Sequence, residues 1–538
     1  MTDTHLLREA LRHYGLEVSP EDEARAAEQL RAVLRRLEPL ERVETQEPPA
    51  DLRWVEFACA PPSGLASTVE WLANAPPQLP EDPLRLSLVQ VARAIRHRRI
   101  SPREVVEAAL RRIEETNPVL RAFLFVDAEV ALRRAREAEE AAVRGAWWGP
   151  LHGIPVALKD LIAQEGAPWT CGSPLRQGVV ASEDAPVTAR LRQAGAVFVG
   201  KTHLHEWAYG VSNDNPHFGP ARNPWDPVRS PGGSSGGSGV ALATGCVYGS
   251  VGTDTGGSIR IPAALCGVVG LKPTYGLVPT QGVYPLSWSL DHVGPMARTV
   301  DDVALLLEVL TGIPWGRSAR IRGLRVGMLR NFFEGAVDAD VARTVASAAE
   351  TLRHLGAEVA EVRVEGLEAA SAVATALLMV EASTGHLRTL RESPHVYGQD
   401  VRERLLVGLA LGGERYVRAR SVRRALIRRF LEEVFAQVDV LLTPTVPLPA
   451  PPLEEETTYL AGKPYNTRAL LTRFTNPFNA LGFPALSVPC GLVAGLPVGL
   501  QVVGRPFGEA TLLRVARAYE RARGPAPLPP TGPREGSG

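Results

Sequence analysis

Two serines set in glycine-rich runs are the feature that most constrains this chain. Ser234 lies within Pro-Gly-Gly-Ser-Ser-Gly-Gly-Ser, and Ser258 ends a second run, Gly-Thr-Asp-Thr-Gly-Gly-Ser. Glycine lets the backbone approach a ligand closely and lets successive N–H groups point the same way, as an anion-stabilising site requires. The two runs together predict an acyl-transferring serine enzyme without a catalytic histidine.

The second run predicts an oxyanion site. The backbone N–H groups of Thr255, Gly256, Gly257 and Ser258 follow one another and are placed to converge on one oxygen, which makes Ser258 the candidate nucleophile. Taken alone, the same residues are equally typical of a tight glycine turn whose serine caps the next element.

Ser234 also satisfies a Gly-x-Ser-x-Gly pattern, which is typical of the nucleophile of an α/β-hydrolase. That nucleophile needs a buried strand just before it. Residues 223–231 contain three prolines and therefore cannot form a central strand. A phosphate-binding loop is disfavoured as well, because no Gly-Lys-Ser/Thr closes the glycine run.

The chain uses arginine for nearly every positive charge and keeps only four lysines among its 59 Lys and Arg residues. Arginine cannot be deprotonated in a protein, so a retained lysine marks a place where an amine is wanted. Lys159 ends an apolar strand pattern that begins at Ile154. A lysine at a strand end is more often a solvated charge, and to act as a base it must lose roughly 3 pKa units, or about 4 kcal/mol.

These motifs resemble the amidase signature family, whose members use a Ser, cis-Ser, Lys triad. The glycine-serine runs are followed by Cys-Gly-Val-Val-Gly-Leu-Lys-Pro-Thr from Cys266, and Lys159 lies within His-Gly-Ile-Pro-Val-Ala-Leu-Lys-Asp from His152. The resemblance covers roughly residues 85 to 522. It implies hydrolysis of a small-molecule amide through an acyl-enzyme, with no metal and no organic cofactor.

Carried over position by position, the resemblance implies a role for each residue of the triad. Lys159 is the base, Ser234 is the bridging serine in a cis peptide after Gly233, and Ser258 is the acylated nucleophile, with Ser235 the less favoured bridge. The N–H groups of Thr255 to Ser258 hold the oxyanion.

The same resemblance places a loop beside the substrate. Tyr209, Ser212 and Asn213 are the candidates for lining the pocket, although the loop also reads as a plain polar turn. Lys201 and Lys272 match positions that look structural, and Lys463 is expected on the surface. The histidines show no ligand spacing with carboxylates or cysteines, so no metal site is expected.

Two functional classes share this triad. One is a free-standing amidohydrolase that releases ammonia or an amine, and the other is the A-type glutaminase subunit of a tRNA-dependent amidotransferase. Glutamine-using members carry an acidic residue at the position of Thr472, two before Phe474, and its absence favours the first class. The N-terminal residues favour the second class instead, because their helical segment and Pro-rich arm loosely resemble the small helical component of such amidotransferases. The third and weaker reading is a non-catalytic scaffold.

Short apolar runs alternate with helical patterns, which predicts an α/β fold with a mixed β-sheet core covered by helices. The predicted organisation is a helical N-terminal appendage with a Pro-rich arm over residues 1–80, a catalytic domain over 81–524 and a disordered tail over 525–538. Ser-Pro-Arg-Glu at residues 101–104 is a capping box that predicts the start of a helix.

Composition limits partners and location. The 59 basic and 59 acidic residues balance, so nucleic acid is not an expected partner unless the chain belongs to an amidotransferase. Five scattered cysteines indicate a reducing cytoplasm. The chain shows neither a leader pattern nor a run of about 18 apolar residues, so no membrane association is expected. A homodimer formed through the appendage is left open.

Overall fold

The computed structural model describes residues 3–45, 66–330 and 335–530. Within them the helices are α1 Asp3–His13, α2 Pro20–Glu41, α3 Ala66–Leu72, α4 Leu88–Arg96, α5 Pro102–Leu120, α6 Ala128–Val143, α7 Pro186–Gln193, α8 Gly236–Ala243, α9 Arg260–Cys266, α10 Val300–Thr311, α11 Ala339–His354, α12 Leu367–Glu392, α13 Gln399–Leu409, α14 Gly412–Arg429, α15 Thr467–Leu471, α16 Asn476–Ala480 and α17 Glu509–Arg523.

The strands form one large sheet and one hairpin. They are β1 Phe123–Val126, β2 Pro155–Lys159, β3 Val197–Thr202, β4 Gly249–Asp254, β5 Val269–Lys272, β6 His292–Ala297, β7 Arg325–Leu329, β8 Glu358–Val362, β9 Val440–Pro444, β10 Thr457–Leu460, β11 Lys463–Asn466, β12 Ala485–Val493 and β13 Leu496–Gly504. The large sheet has 11 strands in the order β1-β3-β2-β4-β6-β5-β12-β13-β9-β7-β8, and β10 pairs with β11.

The sheet is mixed. Strand β2 runs parallel to both β3 and β4, whereas β4 and β6 are antiparallel. Every residue of β2, β3 and β4 is buried, which is the reason that each begins as an apolar or small-residue run and carries its charged residue only at or next to its carboxyl end. The α/β expectation is confirmed, and the capping box at Ser101 opens α5, with both of its reciprocal hydrogen bonds present.

The N-terminal helices α1 and α2 pack onto α12 and α13 rather than standing apart. Arg25 and Arg402 connect the two layers: Arg25 Nε donates to Glu403 Oε1 at 2.7 Å, and Arg402 Nη2 donates to Asp22 Oδ1 at 2.9 Å. Leucines of both helices share an apolar cluster with α12. The appendage is therefore docked on the helical layer.

The segments that join the appendage to the main body are described only in part. The Pro-rich passage from Glu47 lies outside the described residues, while α3 packs against α4 and its Leu72 belongs to the main apolar cluster. The boundary near residue 80 stays a prediction. Of the expected disordered tail, residues 531–538 also lie outside the described part.

Helix α12 is long and apolar enough to cross a membrane by length and composition alone, which the sequence patterns did not indicate. It packs against α2, α13, α14 and α16, and 67% of its most apolar stretch is buried. These contacts are those of a core helix.

Candidate active site

The site lies where two parallel strands end. Leu158 of β2 pairs with Val251 of β4, so the carboxyl ends of the two strands meet at one edge of the sheet. Lys159 is the last residue of β2, and the Gly256–Ser258 turn follows the end of β4. This topology brings together segments that are about a hundred residues apart in the sequence.

Lys159 is completely buried, and its ammonium group contacts hydroxyl groups only. Nζ donates to Ser234 Oγ at 2.7 Å and to Thr253 Oγ1 at 2.9 Å. Burial lowers the pKa of Lys159 to about 7, against the weaker pull of the carboxylates of Asp254 and Asp291. A large fraction of this amine is therefore neutral at neutral pH and can accept a proton.

The two serines of the first glycine run differ in their partners. The Gly233–Ser234 peptide bond is cis, and Ser234 Oγ faces Lys159. Ser235 Oγ instead donates to the Thr253 carbonyl at 3.2 Å, which engages it with β4. Because the Ser235 N–H donates to the Ser258 carbonyl at 3.1 Å, the turn that carries Ser234 lies directly beside Ser258.

Ser258 is buried, being 5% exposed, and its hydroxyl forms no hydrogen bond with any residue that the structure describes. No hydrogen bond joins it to Ser234 Oγ among the described residues, so the contact between the two serine hydroxyls stays a prediction.

The four N–H groups predicted to hold an oxyanion are not equivalent. The N–H of Gly257 donates to Asp254 Oδ1 at 2.8 Å, so it is already engaged. In the described part of the chain, the N–H groups of Thr255, Gly256 and Ser258 have no acceptor. Gly257 has φ +131°, and a Cβ there would lie 2.3 Å from Thr475 Oγ1, so only glycine fits. Its role is to shape the turn.

A buried ion pair that the sequence motifs did not single out supports this turn. Asp254 Oδ1 accepts from Arg260 Nη2 at 2.9 Å, and both side chains are fully buried. Burial alone would raise the pKa of Asp254, but the Arg260 guanidinium outweighs it and holds that pKa well below its usual range. Asn479 and Gln501 complete the network, with contacts of 2.8 Å to Asp254 and 2.7 Å to Arg260.

The sequence motifs did not single out a second buried carboxyl group of the site, that of Asp291. Thr255 Oγ1 donates to Asp291 Oδ1 at 2.6 Å, and the N–H groups of Leu286 and Ser287 donate to Oδ2. Burial raises the pKa of Asp291 to about 6. Asp254 and Arg260 flank Ser258 within one motif, so their position in the sequence could have predicted that they belong to the site. For Asp291 no such local signal exists.

Of the three pocket candidates, Ser212 and Asn213 lie against the turn that carries Ser234, and all three are partly engaged elsewhere. Asn213 is fully buried; its Oδ1 accepts from the Gly236 N–H at 3.2 Å and its Nδ2 contacts His203 Nδ1 at 3.0 Å. Tyr209 is buried beneath the guanidinium of Arg404, 4.6 Å from the ring centroid. The Ser212 carbonyl accepts from Ser230 Oγ at 2.7 Å. Their contact with a substrate stays a prediction.

The other lysines have environments unlike that of Lys159. Lys201 Nζ donates to the Ile162 carbonyl at 2.6 Å and pairs with Asp160 at 3.4 Å, while Lys272 contacts its own neighbour's carbonyl and His292. Lys463 is exposed. Among the described residues there is no group of three or more His, Cys, Asp or Glu side chains that could hold a metal ion.

Comparison with known proteins gives a consistent result. The family model described as Amidase matches residues 104–513. The A subunit of glutamyl-tRNA(Gln) amidotransferase from Anaeromyxobacter dehalogenans is 43% identical over 489 residues, covering 83% of this chain and 98% of the relative. An amidase of Pseudomonas putida is 43% identical over 456 residues, covering 81% and 96%.

A solved crystal structure of an amidase has the same fold. It superposes with a TM-score of 0.78 at 40% sequence identity, covering 82% of this chain and 100% of the solved one. The expectation drawn from the glycine-serine motifs is thus confirmed: the chain belongs to the amidase signature family of hydrolases.

Proposed function

We propose that this protein is a free-standing amidohydrolase that cleaves a small carboxylic amide into a carboxylate and ammonia or an amine. The observation that carries the proposal is the 2.7 Å contact between the buried Lys159 Nζ and Ser234 Oγ, next to the unengaged hydroxyl of Ser258. Family membership supports the reaction class, and the residue roles below belong to the proposal.

The proposed first step is acylation. Neutral Lys159 accepts a proton from Ser234, which accepts one from Ser258 as its oxygen attacks the amide carbon. The tetrahedral oxyanion is stabilised by the N–H groups of Thr255, Gly256 and Ser258. Each such donor is commonly worth about 3 kcal/mol of barrier. The proton held by the relay then passes to the leaving nitrogen, the C–N bond breaks, and an ester to Ser258 remains.

The second step is hydrolysis of that ester. Water loses a proton to the same relay and attacks the acyl carbon, and the oxyanion is held at the same N–H groups. Collapse expels Ser258, which regains its proton, and releases the carboxylic acid. The two half-reactions consume one amide and one water, and leave Lys159 as it began.

The alternative is a glutaminase subunit that passes ammonia to a partner. It is supported by relatives that are named as the A subunit of an amidotransferase. Against it, the position at which glutamine-using members carry an acidic residue is Thr472, whose hydroxyl donates to the Arg468 carbonyl at 3.1 Å. We therefore favour an enzyme that acts on its own, in the cytoplasm, as a monomer or homodimer.

The test is release of ammonia from a panel of aliphatic and aryl amides and from glutamine. Ser258→Ala and Lys159→Ala are assayed beside the wild type, with the exposed Lys463→Ala as a matched control. We expect turnover of simple amides that both site variants lose and the control retains. Activity confined to glutamine would instead favour the amidotransferase class, and activity that survives Ser258→Ala would overturn the mechanism.

A further inference from the structure

Asn476 lies against the turn that carries the free N–H groups. A Cβ built on Gly256 would come within 2.7 Å of Asn476 Oδ1, so only the absence of a side chain at Gly256 makes room for this carboxamide. The preceding residue fixes the approach, because Thr475 Oγ1 donates to the Gly256 carbonyl at 2.6 Å. The carboxamide of Asn476 therefore stands beside the position where a substrate carbonyl would bind.

This carboxamide has no hydrogen-bond partner among the described residues. Asn476 is 9% exposed, and neither of its side-chain polar atoms is among the fully buried atoms without a partner, so both keep some contact with solvent. Asn479, about one helical turn later, differs because its side chain is hydrogen-bonded. Its Nδ2 donates to Asp254 Oδ1 at 2.8 Å, and its Oδ1 accepts from Arg260 Nη2 at 2.7 Å. The carboxamide of Asn479 is thus engaged in the buried Asp254–Arg260 network, whereas no described residue engages the carboxamide of Asn476.

The charged groups at the Thr255–Ser258 turn, against which Asn476 lies, are already engaged. Asp254 is paired with Arg260, and Asp291 accepts hydrogen bonds from Thr255 and two backbone N–H groups. Arg473 belongs to a separate cavity that it lines with Arg42 and Glu368. A free charge on the substrate would find no counter-ion at this position, and a neutral polar group would find the carboxamide.

We propose that Asn476 forms a subsite for a second, uncharged carboxamide of the substrate, so that the preferred substrates are diamides or peptide-like amides. A carboxamide offers an NH₂ donor and a carbonyl acceptor, so it can pair with another carboxamide through two hydrogen bonds in either orientation of Asn476. A carboxylate, an ammonium or an alkyl group at the same place forms at most half of that pair. This subsite rests on the proposed amidase function.

The experiment measures kcat/KM for succinamide, glutaramide and adipamide. Each is compared with the isosteric amide in which an isopropyl group replaces the second carboxamide. We expect the wild type to favour the best diamide by about 10-fold or more, the gain typical of hydrogen bonds that only the correct substrate makes. Asn476→Leu keeps the size of the side chain but removes its hydrogen bonds, and should lower that ratio about 10-fold.

Asn476→Asp tests the neutrality of the subsite. It should raise kcat/KM for the matching ω-amino amide relative to the diamide by about 10-fold, since the new carboxylate pairs with the ammonium group. Asn74→Leu, an exposed asparagine exchanged in the same way, serves as the matched control and should leave all ratios unchanged.

The outcomes separate the subsite from the function. Turnover of the isopropyl amides with ratios that neither Asn476 variant moves by more than about two-fold would overturn the subsite and leave the amidase proposal standing. A wild type that hydrolyses none of the amides would overturn both.

Discussion

Lys159 and Lys201 stand on neighbouring parallel strands, and both ammonium groups are completely buried, yet only Lys201 has a carboxylate beside it. Lys201 Nζ lies 3.4 Å from Asp160 Oδ1, whereas Lys159 Nζ touches the hydroxyls of Ser234 and Thr253. Burial lowers the pKa of both lysines, and at Lys201 the attraction of Asp160 opposes the shift. The comparison separates a buried lysine whose partners are hydroxyl groups, which is the proposed base, from one that pairs with a buried carboxyl group, which is expected to belong to the scaffold.

The largest expected effect separates the two lysines by activity. Lys159→Met removes the proposed base and should lower kcat by about 10³- to 10⁴-fold, the usual contribution of a general base that acts with its nucleophile as a unit. The measurement is steady-state ammonia release from the best amide of the panel. If the Lys159→Met enzyme keeps more than about a tenth of the wild-type kcat, Lys159 is not the base and the two lysines do not differ in the proposed way.

Lys201→Met should act on stability instead. It leaves Asp160 buried without its cation, and removing one partner of a buried pair typically lowers the free energy of unfolding by about 3 to 5 kcal/mol. Urea unfolding followed by circular dichroism measures the change. If Lys201→Met unfolds at the wild-type urea concentration, the pair with Asp160 is not structural.

The pH profile should be governed by the lysine without a carboxylate. Because the pKa of Lys159 is about 7 and the neutral amine is the active form, kcat/KM should fall about tenfold per pH unit below 7 and level off above it. Initial rates between about pH 5 and 9 in one buffer mixture test this. The pKa of Asp291 is raised to about 6, so if its protonation disturbs Thr255, kcat/KM should fall more steeply below about pH 6.

The smallest expected effect concerns the stability of the Lys159 site. The folded pKa lies below the unfolded one, so between pH 7 and about 10.4 only the unfolded chain holds the proton, and this site makes stability rise with pH. Lys159→Met removes a penalty of about 4 kcal/mol and two hydrogen bonds. It should therefore be about 1 to 3 kcal/mol more stable than wild type at pH 7.

The pH dependence provides the control for this last prediction. The stability gain of Lys159→Met should shrink as the pH rises from 7 and level off above about 10.4, where the wild-type amine is neutral in both states. A gain that is independent of pH would mean that packing, not the buried amine, is its cause.

Much of the candidate site could be predicted from local sequence. The small residues around Ser234 and Ser258 predicted two glycine-rich turns, and the apolar run before Lys159 predicted a strand. The family resemblance, not the residue order, predicted that the three side chains meet, and the strand pattern alone favoured a solvated rather than a buried lysine. Asp254 and Arg260 were within reach of the same reasoning, because both flank Ser258. The engagement of the Gly257 N–H by Asp254 depends on the geometry of the turn, which residue types alone do not fix.

Other parts of the site depend on pairing across the sheet. Thr475 and Asn476 come from a segment more than two hundred residues away, just before β12, which lies beside β5 in the folded sheet and brings this segment to Gly256. The docking of α2 on α13 likewise depends on Glu403 being buried opposite Arg25. An amphipathic helix indicates that it has a partner but not which one.

The central claim is that Lys159 is neutral near pH 7. The chain has only four lysines, so protein labelled with ¹³C at lysine Cε gives four resonances, which single Lys→Met variants assign. We predict that the resonance missing in Lys159→Met titrates near pH 7 in the wild type. A Lys159 resonance that titrates near the ordinary lysine value of about 10.4 would contradict the account.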